Sequence, residues 1–140
     1  MAKKKEVKTN IIKTGITNYP VGDFLIRVKN AALARRKEVL VRKTKLVDAL
    51  ANALKKEGFL DSVSSEGDLI SVSLAYRRKE PVILDIKLVS KPGQRRYMGV
   101  EDLAKIKNPS IFFISTPKGV ISSREAIKNR VGGEVIVEVW

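Results

Sequence analysis

The stretch Ser115-Thr116-Pro117-Lys118-Gly119 sets two adjacent hydroxyls, a rigid Pro, an ammonium and a Gly between apolar segments. Short hydroxyls and a cation, with a Gly allowing close approach, suit a sugar-phosphate backbone. The same residues also make an ordinary polar hairpin tip, and the residue types alone leave both readings open. The Gly-x-x-x-x-Gly-Lys spacing of a nucleotide-binding P-loop is absent, and the next helix starts only at Ser122 or Ser123. A second cluster, Lys91-Pro92-Gly93-Gln94-Arg95-Arg96-Tyr97, interleaves cations with one aromatic ring. Its Lys and Arg side chains can neutralise phosphates while Tyr97 stacks on a ribose or base. A Tyr at this kind of position is also a common packed edge residue.

Catalysis finds little to work with. The chain has no Cys and no His, so thiol nucleophiles, disulfides, thiolate metal sites and the commonest acid-base group are all excluded. Ser115, Ser122 and Ser123 have no imidazole to activate them, and Lys118 would have to act as base alone. Glu101 and Asp102 are neighbours on a helix and do not face each other. Glu134 and Glu138 meet no third metal ligand. The expectation is a protein without catalytic residues, metal or cofactor; a nuclease or nucleotide hydrolase would rest on Lys118 beside Ser115 and Thr116.

Charge points to the partner. Lys and Arg number 28 against 15 Asp and Glu in 140 residues, a formal charge of +13. Such a body draws polyanions over long range, with nucleic acid first and an anionic membrane surface second. At 44% apolar and 31% charged residues, the composition is that of a soluble globular protein. The charged start lacks the apolar segment of a signal peptide, and no run approaches transmembrane length. A cytoplasmic protein is expected.

These residues must be positioned by a modest set of elements. Residues 1–17 read as a basic arm. A first helix starts at Tyr19-Pro20, with Val21, Phe24, Leu25, Val28 and Ala31 or Ala32 at helical spacing. Val39-Leu40-Val41 reads as a strand, and Thr44 as the N-cap of a helix buried through Leu46, Val47, Leu50, Ala53 and Leu54 and ended by Gly58. A strand opens at Phe59-Leu60, and another alternates from Leu69 to Tyr76 after the turn Glu66-Gly67-Asp68. Glu80-Pro81 reads as a turn, Val82 to Val89 as a strand, and Ser90-Lys91-Pro92-Gly93 as a type II turn. A strand over Gln94–Met98, a helix over Val100–Ile106 and the apolar strand Ile111–Ile114 follow. After the polar loop, Ser122 with Glu125 is a capping box for a helix to Asn129, and Gly132-Gly133 leads into a strand from Glu134 to Val139. The class is α+β, with two small lobes: an α-β-α-β-β lobe over 18–79 and a mainly β lobe with short helices over 80–140.

In order and spacing, these motifs resemble the bacterial-type small-subunit ribosomal protein S8 family (uS8). The likeness rests on Asp23-x-Leu25-x-Arg27-Val28-x-Asn30, Lys45-Leu46 through Glu57-Gly58-Phe59, Val89-Ser90-Lys91-Pro92-Gly93 with Tyr97, Ser115-Thr116-Pro117-Lys118-Gly119-Val120, and Gly132-Gly133-Glu134. It spans residues 20–140. The resemblance implies a protein that binds the central domain of small-subunit rRNA, supports assembly of the particle and stays in it beside neighbouring ribosomal proteins. Some members of the family also repress their own messenger. Off the ribosome a monomer is expected, with no membrane partner, and a non-specific RNA chaperone is the alternative. RNA contacts are expected from Ser90, Lys91, Arg95, Arg96, Tyr97, Ser115, Thr116, Lys118 and Gly119, supported by Arg42 and Lys45. Pro117 departs from the family's usual Ser, removing one hydroxyl and one backbone donor.

Overall fold

The computed structural model describes residues 19–107 and 109–140. The basic arm expected over residues 1–17 lies outside the described residues. The chain divides into two compact units between Val82 and Ile83.

In the first unit, helix α1 (Pro20–Leu33) opens with Pro20 in its first turn, where a missing N–H costs nothing. Asp23 stands near the helix start and is joined one turn on by Arg27 at 3.0 Å. Val21, Phe24, Leu25, Val28, Ala31 and Ala32 are buried, the stripe that the spacing predicts. Strand β1 (Glu38–Arg42) leads to helix α2 (Lys45–Lys56), whose Val47 N–H donates to the Thr44 hydroxyl at 3.1 Å. The buried side of α2 runs through Val47, Leu50, Ala51, Ala53 and Leu54, while Leu46 is only half-buried. Gly58 ends the helix at φ +87°, a conformation that costs a residue without Cβ little. Strands β2 (Leu60–Glu66) and β3 (Leu69–Leu74) form a hairpin, and β1 adds antiparallel to the other edge of β3.

A short hairpin follows, with β4 (Tyr76–Arg77) paired to β5 (Glu80–Pro81). The turn expected at Glu80-Pro81 therefore sits two residues earlier, on Arg78 and Lys79. Both have left-handed backbones, φ 55° and 67°, as a tight hairpin with the right twist demands. Non-Gly residues bear roughly 1–2 kcal/mol each for that conformation.

The second unit is a five-stranded antiparallel sheet with two short helices. Its strands are β6 (Ile86–Leu88), β7 (Tyr97–Met98), β8 (Ile111–Thr116), β9 (Gly119–Ser122) and β10 (Gly133–Val139). Strand β10 is the hub, pairing with β6 and β7 on one side and β8 on the other. Helices α3 (Val100–Ala104) and α4 (Ser123–Asn129) contribute Leu103 and Ala126 to a core with Ile114 and Val135.

Four expectations for this unit shift, beginning with the helix foreseen over Val100–Ile106, which ends at Ala104. The strand foreseen over Val82–Val89 shrinks to Ile86–Leu88, because Leu84 and Asp85 donate their N–H groups to the Trp140 carbonyl outside the ladder. The strand foreseen over Gln94–Met98 begins only at Tyr97. Between the polar loop and α4 lies a further strand, β9, so Ser115 and Thr116 belong to β8 and the turn itself is Pro117-Lys118. Ser122 is the N-cap expected: Glu125 N–H donates to its hydroxyl at 3.2 Å.

Helix α4 ends on Arg130, at φ 56° and ψ 46°, where Gly is the usual occupant. Arg130→Gly should therefore stabilise the protein by about 0.5–1 kcal/mol, the relief of strain less the entropy of the freer unfolded chain. A higher urea midpoint at unchanged slope is the expected result; a lower midpoint would show that the Arg130 side chain holds something in place.

Candidate RNA interface on the second sheet

Four strands meet along one line of the second sheet. Glu134 of β10 lies opposite Tyr97 on one side and Ser115 on the other, and Ser115 lies opposite Val120 of β9. Residues directly opposed on antiparallel strands project from the same face. Tyr97, Glu134, Ser115 and Val120 therefore form one row across four strands. The next row, Val135, Ile114 and Ile121, points the other way and packs into the core with Leu103 and Ala126. At this end of the sheet one face is thus committed to packing, leaving the other to present Tyr97, which is 71% exposed, although farther along that second face Phe113 and Val137 are buried.

The approach is close because Gly132 and Gly133 have no side chains. A Cβ on Gly133 would collide with the Ser115 carbonyl, and one on Gly132 would stand 2.5 Å from the Met98 carbonyl. These glycines let β7 and β8 flank β10 at a distance that brings the two polar clusters of the sequence onto one surface.

The basic loop before β7 is held by Ser90. Its residue is wholly buried, and its hydroxyl accepts from the Arg96 N–H at 2.9 Å while donating to the Arg96 carbonyl at 3.3 Å. The Arg96 carbonyl also accepts from Val135 N–H at 2.9 Å, tying the loop to β10. Within the loop, Lys91 and Gln94 exchange backbone hydrogen bonds around Pro92-Gly93, with Gly93 at φ +80° as a type II turn requires. Lys91, Arg95 and Arg96 are left exposed. Arg95 reaches back to Glu134, Nη1 to Oε2 at 3.1 Å, so the cation stands over the row beside Tyr97.

The hairpin β8–β9 has its own internal clamp. The Thr116 hydroxyl donates to the Gly119 carbonyl at 2.8 Å and accepts from Lys118 N–H at 3.1 Å. Pro117 fits the first central position, since its fixed φ suits a common turn. Gly119, at φ +118°, turns the chain back into β9. The Lys118 side chain is carried, exposed, at the tip.

Of the residues named from the sequence, the second unit unites Lys91, Arg95, Arg96, Tyr97, Ser115, Lys118 and Gly119 around one sheet end. Ser90 and Thr116 were expected as contacts. Their hydroxyls are instead buried or nearly so and occupied within the protein, so in this structure they shape the two loops. Arg42 and Lys45 are exposed in the first unit, at the end of β1 and the start of α2. Glu134 was missed as a member of the site. Its position after Gly132-Gly133 was visible, but strand register puts it between Tyr97 and Ser115, and register is not written in local sequence.

The arrangement offers a ring for stacking, a half-buried hydroxyl, a carboxylate able to accept from a 2′-hydroxyl or a base amine, and cations for phosphates. Among the described residues no three His, Cys, Asp or Glu side chains gather as a metal site, and no helix is long and apolar enough to cross a membrane.

Residues 19–140 match the family model described as Ribosomal protein S8. The chain is similar to the small ribosomal subunit protein uS8 of Nitratidesulfovibrio vulgaris (strain DP4), 41% identical over 122 residues covering 86% of this chain and 97% of that one. It is also similar to the protein of the same name from Anaeromyxobacter sp. (strain K), 43% identical over 127 residues covering 86% and 96%.

Gly133→Ala should cost at least about 2 kcal/mol, since a backbone carbonyl cannot move aside as a flexible side chain would. Thermal or urea unfolding measures it. A loss below about 0.5 kcal/mol would mean that β8 and β10 separate easily and that the close approach does not hold the row together.

Proposed function

Because the chain belongs to the ribosomal protein S8 family, structural and non-enzymatic constituents of the small ribosomal subunit, we propose that it binds the central domain of small-subunit rRNA with the outer face of its second sheet. The observation that carries this reading is the row Tyr97–Glu134–Ser115, flanked by the exposed cations Arg95, Arg96 and Lys118. Tyr97 stacks on a base or ribose, and Ser115 and Glu134 face 2′-hydroxyls and base edges. Arg95, Arg96, Lys91 and Lys118 hold phosphates. Gly119 keeps the hairpin tip slim enough for a backbone to pass, while Ser90 and Thr116 set the loop shapes. Arg42 and Lys45 add phosphate contacts from the first unit. By capturing its helix early, the protein supports assembly in the cytoplasm, then remains in the particle beside neighbouring proteins. An RNA hairpin of like shape in its own messenger would be held by the same residues. Before assembly the protein works as a monomer.

Filter binding over a salt series tests this. Wild-type protein should prefer a central-domain fragment to a scrambled helix at every salt concentration. Tyr97→Ala should cost about 1–3 kcal/mol on the cognate RNA, the worth of one stacked base, and leave the salt slope unaltered. Lys118→Ala should instead weaken both RNAs alike and flatten the slope by about 0.7–0.9. Equal wild-type binding of both RNAs would overturn the reading in favour of a non-specific RNA chaperone.

Pro117→Ser provides a finer check. Thr116 already satisfies the Lys118 N–H, so the hairpin does not depend on a hydroxyl at position 117. Affinity for the cognate RNA should change by less than about 1 kcal/mol, the modest worth of one added hydrogen bond. A larger gain would mean that the RNA lies against position 117 itself.

A further inference from the structure

One stretch of this basic chain carries no cation at all. From Glu57 to Tyr76, 20 residues hold Glu57, Asp61, Glu66 and Asp68 but no Lys or Arg, the longest such gap in a sequence with 28 of them. The stretch folds as the hairpin β2–β3, and Asp61, Glu66 and Asp68 are exposed along β2 and its turn. A polyanion is repelled from such a strip, so its partner is not RNA.

The strip lies on an open edge. Strand β2 is the last of its sheet, paired with β3 on one side and with no described strand on the other. The ladder between β1 and β3 decides which of its backbone groups point outward. Leu74 N–H donates to the Lys37 carbonyl and Lys43 N–H to the Asp68 carbonyl, so Leu74, Val72 and Ile70 bond toward β1. Ser73, Ser71 and Leu69 therefore bond toward β2, where they meet Ser62, Ser64 and Glu66. That leaves Val63 and Ser65 with their N–H and C=O groups directed out of the sheet. Edges of this kind are commonly blunted by Lys or Pro, and β2 has neither.

We propose that this edge is the docking site of the chain's own residues 1–17, whose lysines meet Asp61, Glu66 and Asp68 while their backbone bonds Val63 and Ser65. Lys3, Lys4, Lys5, Lys8 and Lys13 stand against Glu6 alone, a balance of +4, so the charges complement. Val7, Thr9, Ile11, Ile12 and Thr14 are the β-branched residues that strand pairing favours. The segment leads into α1, in the same unit as β2. Residues 1–17 span roughly 56–61 Å at full extension, far beyond the radius of gyration of about 12 Å for a unit of this size, so the edge is within reach. A tethered partner needs little affinity of its own, since its effective concentration is high. The family match begins at residue 19, so the contact lies outside what the family shares and does not rest on the RNA reading.

Carbodiimide coupling of the full chain, read by peptide mass spectrometry, tests the contact. An equal mixture of isotope-labelled and unlabelled protein should give links from Lys3, Lys4, Lys5, Lys8 or Lys13 to Asp61, Glu66 or Asp68, each within a chain of one isotope. Links that join the isotopes would seat a second copy's residues on the edge and overturn the proposal, as would the absence of links to these acids. Amide exchange adds a readout that charge pairing alone would not move. With the same five lysines changed to Gln, the Val63 and Ser65 amides should exchange about tenfold faster or more, while Val72, bonded inside the sheet, keeps its rate. Equal rates at Val63 and Ser65 in the two proteins overturn the proposal.

Discussion

At Gly133 the backbone of β10 passes so near the Ser115 carbonyl that no side chain fits between them. The architecture of the second unit depends on that closeness. Among the described residues strand β10 alone pairs with all of β6, β7 and β8, so its position decides where both loops end up. Held there, Glu134 and Val135 divide this end of the sheet into a packed face and a presented one, while beyond the bulge Val137 and Val139 are buried as well. Val135 goes inward with Ile114, and Glu134 goes outward between Tyr97 and Ser115. The surface of the protein is thus set by a steric condition inside it.

The same unit separates the residues that build the surface from those that offer it. A hydroxyl taken out of water must find partners, and Ser90 and Thr116 find theirs in the backbones of their own loops. Those bonds make the basic loop and the hairpin tip rigid before any ligand arrives. A preformed surface loses less entropy on binding than one ordered by its partner. The exposed groups, Tyr97 and the cations, then act from a fixed frame. In the first unit rigidity comes by another route, through left-handed turn residues and the links from Arg35 and Tyr76.

Much of the fold is legible locally. Both first-unit helices show their stripe, and the caps at Thr44 and Ser122 announce themselves because a cap bonds three residues away. Strand limits are harder. Alternation from Val82 to Val89 is real, yet Leu84 is 74% exposed, because Asp85 and Trp140 pair their backbones and pull the chain out of the ladder. Strand β9 was hidden because Gly119–Ser122 is short and mixes polar with apolar residues. The bulge between Val135 and Val137 likewise escapes the period of two, leaving Ile136 buried along with both neighbours.

The sequence by itself determined the chemistry: an excess of cations that seeks a polyanion, no thiol or imidazole, and two short polar clusters able to meet RNA. It also determined the elements whose signals span a few residues, since caps, turns and helical stripes are local. Tertiary structure alone decided that Tyr97 and Ser115 stand on either side of Glu134, that Ser90 and Thr116 face inward, and that Arg35 closes on Glu80. Each of these depends on register or contact between segments far apart in the chain. A shift of one residue along β10 would exchange its two faces, and no neighbouring residue records which register the packed core will choose.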